Sequence, residues 1–117
     1  MVKISAIIIT QNEERNIGRC IDSVQSIADE IVVIDSYSTD LTRDIALEKG
    51  ARVVLHQFKS HIDQKNYAVT QAEHDIVLSL DADEYLSEEL AKSILVVKES
   101  WPCDTYRMNR LSNYGGK

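Results

Sequence analysis

Glycine is scarce: the 117 residues hold four, at positions 18, 50, 115 and 116. They are not grouped behind the first strand-like run. The Gly-x-Gly-x-x-Gly turn of a dinucleotide-binding domain is therefore missing, and a phosphate-cradling P-loop fails for the same reason. Cysteine is limited to Cys20 and Cys103, far apart and without metal-ligand spacing. The reading is two reduced thiols in a cytosolic protein, not a disulfide framework. Basic tracts are also missing. Residues 1–58 carry 6 bases and 9 acids, and residues 59–117 carry 7 and 10, for a net charge of −6. A nucleic-acid backbone is excluded as a partner on charge grounds. No run approaches the ~18 apolar residues that span a bilayer. The pattern of a secretory leader is absent, so the expected location is cytoplasmic.

What is present is ordinary globular material: 44% apolar and 27% charged residues. Disorder is excluded on that composition, and a chain of this size can bury a real core without staples. The pattern alternates between two periods. Ile4–Ile9, Ile31–Ile34, Arg52–Leu55 and Ile76–Leu80 read as strands. Between them, Ile17, Cys20, Ile21, Val24 and Ala28 share one helical face. Asn12 is placed to cap that helix, with Glu13 and Glu14 in its first turn. Residues 40–49 read as a second helix, entered through Ser38-Thr39-Asp40 and closed by Gly50. Residues 60–72 read as a third, and a fourth starts near Ser87 with Leu86, Leu90, Ile94 and Val97 on one face. Asp104–Arg110 reads as a fifth, half-exposed strand, and Trp101-Pro102 as the end of the fourth helix. Near-continuous apolar strands suit a parallel sheet covered on both faces. The expected fold is α/β, mostly parallel, with right-handed crossovers.

In open α/β sheets ligands sit outside the carboxyl ends of the strands. Those ends carry Thr10, Gln11 and Asn12, then Asp35, Ser36 and Tyr37, then His56, then Asp81, Ala82, Asp83 and Glu84. So many acids at one edge are unfavourable without a cation or donors. Asp81-Ala82-Asp83 is the sharpest feature. Side chains at i and i+2 in extended chain point the same way. Two hard oxygen ligands then suit Mg²⁺ or Mn²⁺, whose other positions take phosphate oxygens and water. An acidic turn that merely starts a helix is the alternative. Lys65 shares a stripe with Ile62, Val69 and Ala72, which sets it inward or over the sheet edge, toward a phosphate or a carboxylate. A lysine snorkelling at the rim is the other reading. Asp35 either receives donors from a base or ribose or accepts loop amides. His56, His61 and His74 share no convergent spacing and read as surface or loop residues. A phospho-acceptor receiver domain needs an acidic pair after the first strand and an Asp after the third. Gln11-Asn12 and His56 stand there instead.

Ile4–Glu14, Ile31–Asp40, Gln64-Lys65-Asn66-Tyr67-Ala68 and Leu78–Glu84 together resemble family 2 glycosyltransferases of the GT-A fold. The likeness is strongest to the bacterial lipopolysaccharide core and cell-envelope group, and it runs over about residues 3–99. It implies a Rossmann-like nucleotide-diphospho-sugar transferase fold, with residues 1–117 as the N-terminal, donor-binding portion. It implies an inverting transfer from a nucleotide-diphosphate sugar, usually a UDP sugar, to a saccharide or lipid-linked acceptor. By that resemblance Thr10, Asn12 and Glu14 lie around the nucleotide and Asp35 near the base. Lys65 approaches the base or diphosphate, Asp81 and Ala82 face the nucleoside, and Asp83 holds a divalent metal, Mn²⁺ or Mg²⁺. Two places depart from the pattern. Many members carry a base-stacking aromatic where Gln11 stands, and an Asp and a Gly where Ser36 and Tyr37 stand. The family has roughly twice this many residues. The chain is therefore expected to lack the acceptor half and the general base, to bind without efficient turnover, and to expose a sheet edge that favours self-association. In the full-length protein the expectation extends to a peripheral place at the inner membrane face.

Overall fold

The computed structural model describes residues 3–100. The chain runs β1 (Ile4–Thr10), α1 (Ile17–Val24), β2 (Glu30–Asp35), α2 (Thr42–Glu48), β3 (Arg52–Leu55), α3 (His61–Gln71), β4 (Ile76–Asp81) and α4 (Glu88–Ser100). The four strands form one sheet in the order β3-β2-β1-β4, every pair parallel. The fifth strand expected at 104–110, Trp101-Pro102 and Cys103 lie outside the described residues.

β-branched residues fill β1 and β2, and both faces of those strands are covered. Ile4, Ala6, Ile8 and Val33 face α1, α2 and α4 across one core, with Ile17, Cys20, Ile21, Val24 and Ala46. Ile7, Val32, Ile34 and Val77 face α3 across the other, with Ala68. Each such isoleucine contributes about 1.5–3 kcal/mol by leaving water. Gly18 leaves room for the Lys49 side chain: a Cβ there would stand 3.1 Å from the lysine Cε. Lys49 crosses above it to pair with Asp22 at 3.0 Å. α2 ends at Gly50, whose φ of +89° suits a residue without Cβ. Its amide donates to the Leu47 carbonyl and that of Ala51 to Ala46, which satisfies the last carbonyls of the helix.

Three sequence expectations shift. α1 starts at Ile17, after a turn in which the Glu13 carbonyl accepts from the Asn16 and Ile17 amides. Asn12 is therefore no cap, and Glu13 and Glu14 precede the helix. The inward face of α3 is Gln64 and Ala68, with Tyr67, Val69 and Ala72 packed beside them. Ile62 is 75% exposed and Lys65 sits at the margin, so the stripe through both is rotated outward. On α4 the packed residues are Leu90, Ala91, Ile94 and Leu95, while Val97 is exposed. Lys98 is buried instead, its ammonium donating to the Ile27 carbonyl and to Asp29 at 2.7 Å.

Candidate functional site

The carboxyl ends of β1 and β2 are level, with Thr10 opposite Asp35. The loops that follow are laced together. Asp35 is fully buried and accepts from the Ser38 amide (2.8 Å) and the Ser38 hydroxyl (2.6 Å). The Arg43 guanidinium stands 3.7 Å from it and donates to the Ser38 carbonyl. Asp35 thus accepts loop donors, the plainer of its two readings, and its carboxylate is charge-balanced from α2. The Ser38 hydroxyl accepts in turn from the Asn12 amide. Asn12 has φ +51° and takes the Thr39 amide on its side-chain oxygen at 2.7 Å. The Glu13 amide donates to the Thr42 hydroxyl, which donates to Asp40. Glu14 accepts from the Leu41 amide, and its own amide donates to Asp40. Burial would raise the Asp40 carboxyl, but the Thr42 hydroxyl and the Thr42 and Glu14 amides outweigh it and hold it below the usual range. Thr10 is buried with its hydroxyl unpartnered among the described residues. Tyr37 also sits in the left-handed region (φ +54°) and is 57% exposed at this edge.

The turn after β4 lies beside β1: Asp81 pairs with Ile9, and the Ala82 amide donates to the Ile9 carbonyl. Glu84 folds back, its carboxylate accepting from the Asp81 amide at 2.8 Å while its amide donates to the Asp81 carbonyl. Glu84 is buried, Asp81 half-buried and Asp83 exposed. Under the turn lies the Cys20 thiol, 3.8 Å from the Asp81 carbonyl. Burial, and then the charges of Glu84, Asp81 and Asp83, push that thiol up to about 12. The acids therefore create a negative potential at this edge. The Arg19 guanidinium lies 4.2 Å over the Tyr85 ring and ties the turn to α1. Hard oxygens on a turn of negative potential fit a hard divalent cation. Sequence reasoning gave no site role to Ser38, Thr42, Arg43 or Gln64, and it counted Glu84 only among the strand-end acids. Ser38, Glu84 and Gln64 stand within the Ile31–Asp40, Leu78–Glu84 and Gln64–Ala68 blocks, and Thr42 and Arg43 lie only in the stretch read as the second helix.

On the other face, α3 meets the ends of β2 and β3. The buried Gln64 amide donates to the Ser36 hydroxyl at 2.7 Å and, at 3.4 Å, to the His56 carbonyl. His56 stacks on Tyr67 with ring centroids 3.7 Å apart, and its Nε2 lies 3.3 Å from Asp63. His56 is a loop residue as expected, but an engaged one. Ser36 turns under α3.

A different trio, Glu30, Glu73 and His74, brings its ligand atoms within 4.8 Å at the amino end of the sheet. Glu30 already accepts from Ser5, the Glu73 amide and Arg52. The trio is a clasp between β2 and the α3–β4 connection, at the pole away from Asp81–Asp83.

The parallel sheet gathers its acids at the carboxyl edge, an arrangement similar to the GT-A fold. The family model described as Glycosyl transferase family 2 matches residues 5–108, and the chain belongs to that family. An uncharacterized glycosyltransferase of Rickettsia bellii is 47% identical over 104 residues, covering 89% of this chain and 35% of that protein. The lipopolysaccharide core biosynthesis glycosyltransferase LpsC of Rhizobium meliloti is 36% identical, covering 74% and 34%. The chain thus spans about a third of the length of these relatives, less than the half that the resemblance implied. Among solved structures, mannosyl-3-phosphoglycerate synthase from Rubrobacter xylanophilus superposes with a TM-score of 0.70 at 25% identity, covering 86% and 37%. Glucosyl-3-phosphoglycerate synthase from Mycobacterium tuberculosis, solved with Mn²⁺, UDP and glucosyl-3-phosphoglycerate, superposes with 0.63 at 28%, covering 72% and 36%. No helix among the described residues is long and apolar enough to cross a membrane.

Proposed function

We propose that these residues form the donor-binding portion of an inverting glycosyltransferase. It takes a UDP sugar with a divalent metal and passes the sugar to a saccharide or lipid-linked acceptor of the cell envelope, on the cytoplasmic side. The observation that carries the reading is the Asp81-Ala82-Asp83 turn, set beside the end of β1 and level with the Thr10–Glu14 loop. Support for UDP and Mn²⁺ comes from the solved relative that holds both, and support for the envelope acceptor from the name of LpsC. Thr10, Asn12, Glu14, Lys65, Asp81 and Ala82 surround the nucleotide, with Asp35 buried beneath as the acceptor that holds their loops, and Asp83 holds the metal, Mn²⁺ or Mg²⁺. The metal would neutralise the diphosphate leaving group. Asp35 and the Ser38–Asn12 bonds keep the nucleoside loops in one conformation. The base that deprotonates the acceptor is expected elsewhere in the longer protein, and the 117 residues bind without efficient turnover.

Calorimetric titration of UDP and GDP, with and without Mn²⁺, tests this on the chain and on Asp83→Asn. Metal-dependent binding of UDP, lost in Asp83→Asn, is the expected result. Binding indifferent to metal would remove Asp83 from its role, and preference for GDP would reassign the base.

A further inference from the structure

We infer that Gln64 is a positioning residue, which locks α3 onto the ends of β2 and β3 and so holds Lys65 at the nucleotide edge. The inference rests on the donor-site reading above. Gln64 is fully buried on a helix face that is otherwise apolar. Its amide nitrogen reaches Ser36 at 2.7 Å and the His56 carbonyl at 3.4 Å, one acceptor at the end of each strand. The His56 amide donates to the Asp35 carbonyl, so both acceptors belong to the frame that carries Asp35. The side-chain oxygen of Gln64 is buried without a partner among the described residues. Such an orphan acceptor is costly, and an apolar residue of similar volume would avoid it. The two bonds to the strand ends are what the amide supplies in exchange: direction, which an apolar side chain lacks.

The neighbouring contacts point the same way. Asp63 meets the His56 imidazole at 3.3 Å, and Tyr67, one turn on, stacks on the same ring. Residues 63, 64 and 67 are therefore all fastened to the β2–β3 edge, and Lys65, next to Gln64 on the same helix, is carried on its other flank. A lysine ammonium on a four-carbon stem samples many positions. Fixing the helix that bears it narrows that range. Ser36, as the acceptor of the Gln64 amide, serves this lock.

Gln64→Met keeps length and bulk without the amide, and a double-mutant cycle with Lys65→Met reads the coupling. Calorimetry with UDP and Mn²⁺ is expected to show about a fivefold to tenfold loss of affinity for Gln64→Met. In the Lys65→Met background the same change should cost nothing further. Unchanged affinity, or a full additional loss in the double variant, would overturn the role. Amide hydrogen exchange gives a reading free of nucleotide. α3 should exchange faster in Gln64→Met while β1 and β2 keep their protection, and unaltered α3 exchange would overturn the lock. If the wild-type chain fails to bind UDP, the donor-site reading falls and takes the role of Lys65 with it. The exchange result still decides whether Gln64 fastens the helix.

Discussion

Asp35 shows how one buried residue holds the frame on which the candidate site is built. It ends a strand in the middle of the sheet, is fully buried, and accepts two bonds from Ser38 with Arg43 nearby. An asparagine there keeps the shape but loses one acceptor oxygen and the charge that faces Arg43. Asp35→Asn is expected to lower stability by about 2 kcal/mol, the scale of hydrogen bonds to a buried charged group. Urea denaturation would measure it, and an unchanged midpoint would mean that the Ser38 loop holds itself. Cys20 makes the opposite case. Its thiol is pushed up to about 12, first by burial and then by the acids above it. At pH 8 it stays protonated and shielded, so iodoacetamide should label it far more slowly in the folded chain than in urea, measured in a Cys103→Ser background. The strand-end carboxylates were legible in the sequence because a buried apolar run stopped by Asp is a local pattern. The hydroxyls of Ser38 and Thr42 were not, since the amides they accept from lie on a loop 26 to 29 residues away.

At the level of elements, the period of the apolar residues gave four strands and four helices close to their places, but not every face. α3 is the instructive failure. Ile62, Lys65, Val69 and Ala72 make a plausible stripe, yet the helix buries Gln64 and Ala68. Residues with weak hydropathy, an amide and an alanine, sit inward because a hydrogen bond and close approach to the sheet decide the rotation. Hydropathy cannot register either. Two substitutions separate the faces. Ile62→Lys, at a position 75% exposed, should change stability by less than about 0.5 kcal/mol. Ala68→Leu, in the closed layer against Ile7 and Val32, should cost about 1–3 kcal/mol through overpacking. Thermal melts of both would decide, and the reverse ranking would restore the stripe through Ile62. Strand order was likewise beyond the sequence. Placing β4 beside β1, which brings Asp81 next to the Thr10 loop, depends on crossovers that no local pattern encodes.

Among the described residues, the acids at the strand ends fall at two poles. At the carboxyl pole Asp81, Asp83 and Glu84 together raise the Cys20 thiol. At the amino pole the acids are held by donors. Burial alone would raise Asp29, but the Lys98 ammonium and the Ile4 amide outweigh it, and its carboxyl lies below the ordinary 3.8. Glu30 is raised by burial and lowered more by Ser5, the Glu73 amide and Arg52, to below the ordinary 4.5. These bonds fasten β1, β2, α4 and the α3–β4 connection at one end. A carboxyl whose folded value is depressed leaves the unfolded chain binding more protons as pH falls through the ordinary value. Stability from this pole is therefore present in full above about pH 5 and is lost on acidification below the ordinary values. Urea midpoints from pH 7 to pH 3 should then be level at first and fall steeply below about pH 4.5 in the wild-type chain. Asp29→Asn and Glu30→Gln should both be less stable at pH 7, with flatter profiles that approach the wild type near pH 3. Profiles that stayed parallel to the wild type would place the acid-sensitive groups elsewhere, and the carboxyl pole would be the next to test.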